Sequence, residues 1–282
     1  MLDPVRLHRS LQTQLKTEFC GHHLIQWSVI DSTNRVLMDW LRTGSLALPE
    51  GITVVAARQS GGRGQHNRRW HSSSGGLYLS VLLTPRQDLD QLSQLTVALG
   101  WGIASQLKQF CTQAYGAEIA EAIGVKWPND LVIQGHKLAG ILTQARWQGS
   151  RLQGVVAGVG VNVNNAPPEG MPLAQLTGVP VDLTAVAAHV LTGIEQGYLT
   201  WRQQGLDPLL GDYNSWLWHR GRTLEPATGD QSVPKSTVIG VANSADLRIQ
   251  THTGEQCAHP GQVSLGYATS DPLQALTPLD LL

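Results

Sequence analysis

The stretch VKWPNDLVIQGHKLAGILTQARWQGSRLQGVVAGVGVNV (125–163) decides the fold. Its apolar runs are broken by three short groups of turn residues: Pro128 to Asp130, Gly135–His136 and Gly149–Ser150. A parallel crossover needs about a dozen residues or more, and none of these connections has them. One strand therefore ends at the Lys126–Asp130 turn, and the strands that follow, 138–147 and 151–163, should be antiparallel neighbours. Parallel βαβ winding is not expected.

Upstream, LIQWSVI (24–30) has the composition of a strand. Asp31 or Ser32 can then cap a helix, because short side chains there accept hydrogen bonds from free N–H groups. Val36, Leu37, Trp40 and Leu41 fall on one face of that helix. Residues 52–57 and 77–84 read as strands on either side of a polar, glycine-rich loop from Gln59 to Gly76. Leu92, Leu95, Leu99, Ile103 and Leu107 keep helical spacing, which predicts a long helix over 89–110 packed on a sheet.

Downstream, residues 164–183 are rich in Pro, Gly and Asn and read as a long loop. Residues 184–204 and 207–218 read as helices. From about His219 the pattern changes to short β segments at 222–225, 236–242, 246–250 and 262–265, the mark of a small barrel-like domain. The fold class is thus α+β. A mixed, largely antiparallel sheet flanked by helices spans residues 1–218, and a small β domain spans 219–282.

Composition narrows the function. The 282 residues carry a formal net charge of −1, so no global basic field points to nucleic acid. The three cysteines, Cys20, Cys111 and Cys257, are far apart, which argues against a disulfide framework or a structural zinc site. The apolar runs at 77–83 and 154–163 are shorter than the ~20 residues of a membrane helix. Met1 to Gly21 lacks the apolar core of a signal peptide. These features place the chain in the cytoplasm, away from membranes.

Five segments carry groups suited to chemistry. In RQSGGRGQHNRRW (58–70), Arg58, Arg63, Arg68 and Arg69 accompany Gly61, Gly62 and Gly64. Glycines let backbone N–H groups approach a ligand, and guanidinium groups pair with phosphate or carboxylate oxygens. Trp70 can stack on a base or wall off a pocket. Taken alone, this fits a solvated surface loop equally well.

In KWPND (126–130) a strand delivers Lys126 to a rigid turn, where Asp130 can bind Mg²⁺ or orient Lys137. In KLAGILTQ (137–144), Ala139 and Gly140 suggest a close approach by a ligand or by backbone. In GVGVNV (158–163), alternate glycines leave one strand face bare, with Asn162 near its end. Asp31, Ser32, Thr33 and Asn34 can grip a small polar group at a helix start, or serve as a plain cap.

The order and spacing of DSTN, QSGGRG…RRW, GGLYLS, KWPND, KLAGIL and GVGVNV resemble the successive motifs of the biotin protein ligase family, over roughly residues 24–165. The stretch 219–266 resembles the family's small SH3-like barrel. The resemblance implies a class II synthetase-like catalytic domain that activates biotin with ATP and Mg²⁺ as biotinyl-5′-AMP, releasing pyrophosphate. The biotinyl group then passes to one lysine of the biotin carboxyl carrier protein of acetyl-CoA carboxylase, and AMP leaves.

Carried over by position, Ser32, Thr33, Asn34 and Gln59 would hold biotin. Gly62, Arg63, Gly64 and Gln65 would form the loop that closes on biotin and the adenylate. Arg68, Trp70 and Asn129 would serve the nucleotide. Lys126 would touch the biotin carboxylate and the α-phosphate. Asp130, Lys137 and Asn162 would complete the ATP and metal environment. Of these, Lys126, Arg63, Lys137 and Asp130 are the residues expected to carry catalysis.

Two departures from the family pattern stand out. Many relatives have arginine where this chain has Gln65, and a neutral amide clamps phosphate less strongly. About two dozen residues precede the first catalytic strand, too few for the helix-turn-helix domain of relatives that also repress transcription. A monofunctional ligase without operator binding is therefore expected. Edge strands of such a sheet can pair two copies into a homodimer. The competing enzyme reading is a lipoate or octanoyl transferase of the same fold. The competing non-enzyme reading is a nucleotide- or RNA-binding module, against which the near-neutral charge counts.

Overall fold

The computed structural model describes residues 11–44, 47–86, 92–224, 236–263 and 265–267. Its elements run β1 (Leu24–Ile30), α1 (Thr33–Thr43), β2 (Thr53–Gln59), β3 (Leu77–Leu83), α2 (Leu92–Tyr115), α3 (Ala117–Glu121), β4 (Ile123–Lys126), β5 (Asp130–Ile133), β6 (His136–Gln148) and β7 (Arg151–Val161). Then come α4 (Leu173–Thr177), α5 (Leu183–Gln204), α6 (Asp207–Ser215), β8 (Thr223–Leu224), β9 (Ser236–Val241), β10 (Leu247–Thr251) and β11 (Gly254–Ala258).

The stretch 125–163 is antiparallel throughout, as its short turns require. Gly135 and Gly149 turn the two hairpins at φ +83° and +59°, a conformation glycine adopts without a Cβ clash. β3 pairs with β7 and β2 with β3, both antiparallel. β1 lies parallel to β2, completing a seven-stranded sheet in the order β1-β2-β3-β7-β6-β5-β4. That last pair corrects the expectation of no βαβ winding. The connection from β1 to β2 carries α1 and is long enough to cross over, so the short-turn argument does not reach it.

The period of two along each strand sorts the faces. Leu77, Leu79, Val81 and Leu83 of β3, with Val155, Ala157, Val159 and Val161 of β7, join the main core. Helices α2 and α5 contribute to that same core. These helices touch at glycines: a Cβ on Gly102 would stand 2.0 Å from the Gly193 carbonyl oxygen. The alternate positions, Leu82 and Val156, pack with Leu37 of α1 on the opposite face. Ser80, Gly158 and Gly160 share that second face, so it carries polar and bare positions beside its small apolar cluster.

Other expectations shift at their edges. The long helix is α2; positions 89–91 of the range expected for it lie outside the described residues. Helix α4 forms inside the expected 164–183 loop. The helix expected over 207–218 ends at Ser215 because residues 216–218 line the free edge of β4. There Val125 N–H donates to Trp216 O at 2.9 Å, and Trp218 N–H donates to Val125 O at 2.9 Å.

The C-terminal part is a four-stranded antiparallel sheet, β11-β10-β9-β8, the small barrel-like unit expected. The segment 262–265 is not one of its strands. Val263 makes only an isolated bridge with Pro260, while the polar segment GEQCA forms β11 instead. Positions 225 and 264 of the expected segments lie outside the described residues. Among the described residues no helix is long and apolar enough to cross a membrane.

Candidate active site

The second face of the sheet opens into a cavity of 280 Å³. At one end the start of α1 is held by neutral polar groups. Ser32 caps the helix, with its Oγ 3.5 Å from Arg35 N. Thr33 N–H donates to Gln59 Oε1 at 2.8 Å, and Gln59 Nε2 donates to Ser72 Oγ at 2.9 Å. The Ser80 hydroxyl lies 2.7 Å from Thr33 Oγ1 and 2.5 Å from Asn34 Oδ1. Asn34 Nδ2 donates to Leu142 O and to Gln144 Oε1. Burial makes each of these bonds costly to leave unmade, so the network is rigid.

The floor is bare backbone. Gly140 and Gly160 are paired across β6 and β7, and the Trp70 indole lies on both. A Cβ on Gly160 would stand 2.4 Å from the indole, and one on Gly140 would stand 2.9 Å from it. A Cβ on Gly158 would meet Asn34 Oδ1 at 2.0 Å. These are the close approaches that the alternating glycines of 158–160 allow. The Trp70 Nε1 is buried without a hydrogen-bond partner among the described residues.

At the other end the β4–β5 turn presents Lys126, which is 8% exposed, beside Asp130, which is 6% exposed. Lys126 Nζ lies 3.6 Å from Asp130 Oδ2, and Lys137 Nζ lies 3.0 Å from Oδ1. Burial opposes ionisation of Asp130. Lys137 and Lys126 outweigh it, and with the Tyr267 hydroxyl they hold the carboxyl below its usual range. Burial pulls the Lys126 ammonium down, and Asp130 works against that. The turn contains a cis Trp127–Pro128 bond, and Trp127 Nε1 donates to Ala245 O of the C-terminal unit at 2.8 Å.

The arginine loop closes the third side. Gly64 N–H donates to Arg68 O, Trp70 N–H to Gly62 O, and Arg63 bridges Arg69, so the loop is an ordered hairpin. A 3-10 turn over Gln65–Asn67 forms its tip. Arg63, Arg68 and Arg69 remain exposed along the cavity rim.

Of the residues singled out in the sequence, Ser32, Thr33, Asn34, Gln59, Arg63, Gly64, Gln65, Arg68, Trp70, Lys126, Asn129, Asp130, Lys137 and Asn162 all line this one cavity. Gly62 does not. A Cβ there would meet the Trp70 carbonyl oxygen at 2.6 Å, so its part is to let the loop fold. Asn129 and Asn162 each commit one amide hydrogen to the sheet, donating to Ile141 O and Lys137 O at 2.9 Å each.

Residues 27–162 match the model of the biotin/lipoate A/B protein ligase family. The bifunctional ligase/repressor BirA of Bacillus spizizenii is 30% identical over 263 residues, covering 89% of this chain and 77% of that protein. The chain belongs to this family. A biotin–[acetyl-CoA-carboxylase] ligase of Mycobacterium tuberculosis is also 30% identical, over 87% of this chain and 88% of its own length. Among solved structures, a biotin protein ligase from Aquifex aeolicus in complex with biotin and ATP superimposes with a TM-score of 0.69 at 26% identity. The match covers 85% of this chain and 97% of that one.

Several residues around the cavity are not among those the sequence singles out. Ser80 is legible as the lone serine in the apolar strand LYLSVLL. Ser72 and Gln144 carry no local signal. Tyr267 follows the small sheet, yet its hydroxyl donates to Asp130 Oδ2 and its ring faces Lys126 Nζ at 4.4 Å. Burial first, and Asp130 second, raise the Tyr267 phenol well above the usual range, so it stays a donor.

Asp130 Oδ2 accepts from the Tyr267 hydroxyl, while Oδ1 stands 3.0 Å from the Lys137 ammonium but accepts no hydrogen bond among the described residues. Among the described residues no group of three or more His, Cys, Asp and Glu side chains is placed to hold a metal. Mg²⁺ takes most of its ligands from nucleotide phosphates and water and needs only one or two carboxylates, so Asp130 is the residue that would hold such an ion beside a bound nucleotide.

Proposed function

We propose that this chain is a biotin protein ligase. It takes biotin and the Mg²⁺ complex of ATP, forms biotinyl-5′-AMP, and transfers the biotinyl group to a lysine of the biotin carboxyl carrier protein of acetyl-CoA carboxylase. The single observation that carries this reading is the shared cavity. Lys126, Lys137, Arg63 and Arg68, from separate parts of the chain, border one space whose other end is a rigid neutral grip.

The chemistry needs that arrangement. A carboxylate oxygen must approach the α-phosphorus of ATP, and both partners are anions. Buried Lys126 and half-buried Lys137 offset their repulsion where the dielectric is lowered and the geometry is already set. As the new O–P bond forms, the α–β bridging P–O bond breaks and pyrophosphate leaves. The acyl-adenylate then has to be kept from water, a task suited to the 60–72 loop with Arg63, Gly64 and Gln65 facing it. The carrier amine attacks the acyl carbon, loses its proton, and AMP departs. Ser32, Thr33, Asn34 and Gln59 provide hydrogen bonds for the uncharged ring system of biotin, and Trp70, Arg68 and Asn129 lie toward the nucleotide.

The same reading divides the chain near residue 218 into a catalytic and a C-terminal β unit and places the reaction in the cytoplasm. It also allows homodimerisation along β1, the outer strand where Val29 is 56% exposed. The test is transfer of labelled biotin, against labelled lipoate, to an acetyl-CoA carboxylase carrier domain. Biotin alone should be transferred. Lys126→Ala should lower adenylation about 100- to 1,000-fold while the protein stays folded. Transfer of lipoate in preference to biotin would overturn the assignment.

A further inference from the structure

The C-terminal segment after β11 returns to the cavity. Leu265 is 4% exposed and packs in the main core. Buried His219 lies against the backbone of Gly266. These two anchors deliver Tyr267, whose hydroxyl donates to Asp130 Oδ2 and whose ring faces both lysines, at 4.4 Å from Lys126 Nζ and 5.6 Å from Lys137 Nζ. Gly261, Val263, Leu265 and Tyr267 thereby form one wall of the cavity.

Asp130 is the hub of this end. Its two oxygens must orient two ammonium groups, and the Coulomb attraction between ion pairs has little directionality. A phenolic O–H is directional, so it fixes the rotation of the carboxylate, and the aromatic face restrains the lysine heads. We propose that Tyr267, supplied by the segment beyond the small β sheet, is a positioning residue for the adenylation step. It holds Asp130, and through it Lys126 and Lys137, in the arrangement that receives the two anions. This rests on the ligase reading above.

The experiment uses the full chain and Tyr267→Phe, which keeps the ring and removes the donor. Biotin-dependent pyrophosphate release is measured alongside transfer from added biotinyl-5′-AMP to a carrier domain. Loss of one hydrogen bond to a charged group should lower kcat for pyrophosphate release about tenfold, with KM for biotin within about twofold. Transfer from added adenylate should change less than about twofold, and Tm should barely move. Tyr267→Ala should lose further activity and raise KM for ATP. If Tyr267→Phe matches the wild type, or if both half-reactions fall together with Tm, Tyr267 is structural and the proposal fails. If the wild-type chain itself shows no biotin-dependent pyrophosphate release, the ligase reading fails and takes this role with it.

Discussion

Two sets of cations face one cavity and are held by different physics. Lys126 and Lys137 rise from the sheet, are largely buried, and share Asp130 at 3.6 and 3.0 Å. Arg63, Arg68 and Arg69 sit on a loop with exposed guanidinium groups. The buried pair is pre-organised: its field is strong, but each charge depends on its counter-ion to be tolerated at all. The loop charges are screened by solvent and carried by a segment held mainly by its own backbone bonds. The sheet is thus suited to the reacting atoms, and the loop to closing over a product that must not escape.

The sharpest way to break this comparison is at the hub. Asp130→Asn leaves two ammonium groups in a buried setting without a carboxylate. Breaking such a pair costs about 3–5 kcal/mol, so both stability and adenylation should fall, the latter by more than about 100-fold. The pH dependence gives the sign. Asp130 titrates below the ordinary 3.8 in the folded chain, so its stabilisation is present above that value and is lost as pH falls through the lower folded value. The gap in unfolding free energy between wild type and Asp130→Asn should be full near neutrality and close in acid. A gap that does not change with pH would show that the carboxylate charge is not what holds the lysines.

The neutral grip should respond differently. In Gly158→Ala the new methyl would stand 2.0 Å from Asn34 Oδ1, so Asn34 must leave its bonds to Ser80, Leu142 and Gln144. Overpacking of this kind costs about 1–3 kcal/mol. We expect KM for biotin to rise about tenfold or more, with KM for ATP nearly unchanged. Equal effects on both constants would mean that the grip and the cation end are not separate devices.

The contrast also explains what the sequence made legible. The antiparallel run from β4 to β7 followed from turn lengths, which are local. The glycines at 140, 158 and 160 marked a bare face because period two is local as well. The parallel β1–β2 pair was not foreseen, since a long connection permits either sense. Strand β11 was hidden because GEQCA lacks apolar alternation and gains its state from pairing with β10. Gly62 does not line the cavity, and its bare α-carbon lets the loop pass the Trp70 carbonyl. Tyr267 carried no signal, because its place is decided by Leu265 and His219, whose positions depend on the assembled core.

The smallest expected effect lies at the loop tip, where Gln65 lines the cavity without charge. Gln65→Arg would add a guanidinium to the exposed set while leaving Lys126, Lys137 and Asp130 untouched. A solvent-exposed charge contributes at most about 1 kcal/mol, which corresponds to roughly a fivefold change in an equilibrium. Adenylation itself should therefore stay within about twofold. Free biotinyl-AMP released without a carrier should fall several-fold, because the loop would grip the phosphate better. Added salt should erase that gain, since the charge is screened. If wild type and Gln65→Arg release the same amount of free adenylate at low salt, charge on the loop tip does not govern retention, and the division of labour between sheet and loop has to be redrawn.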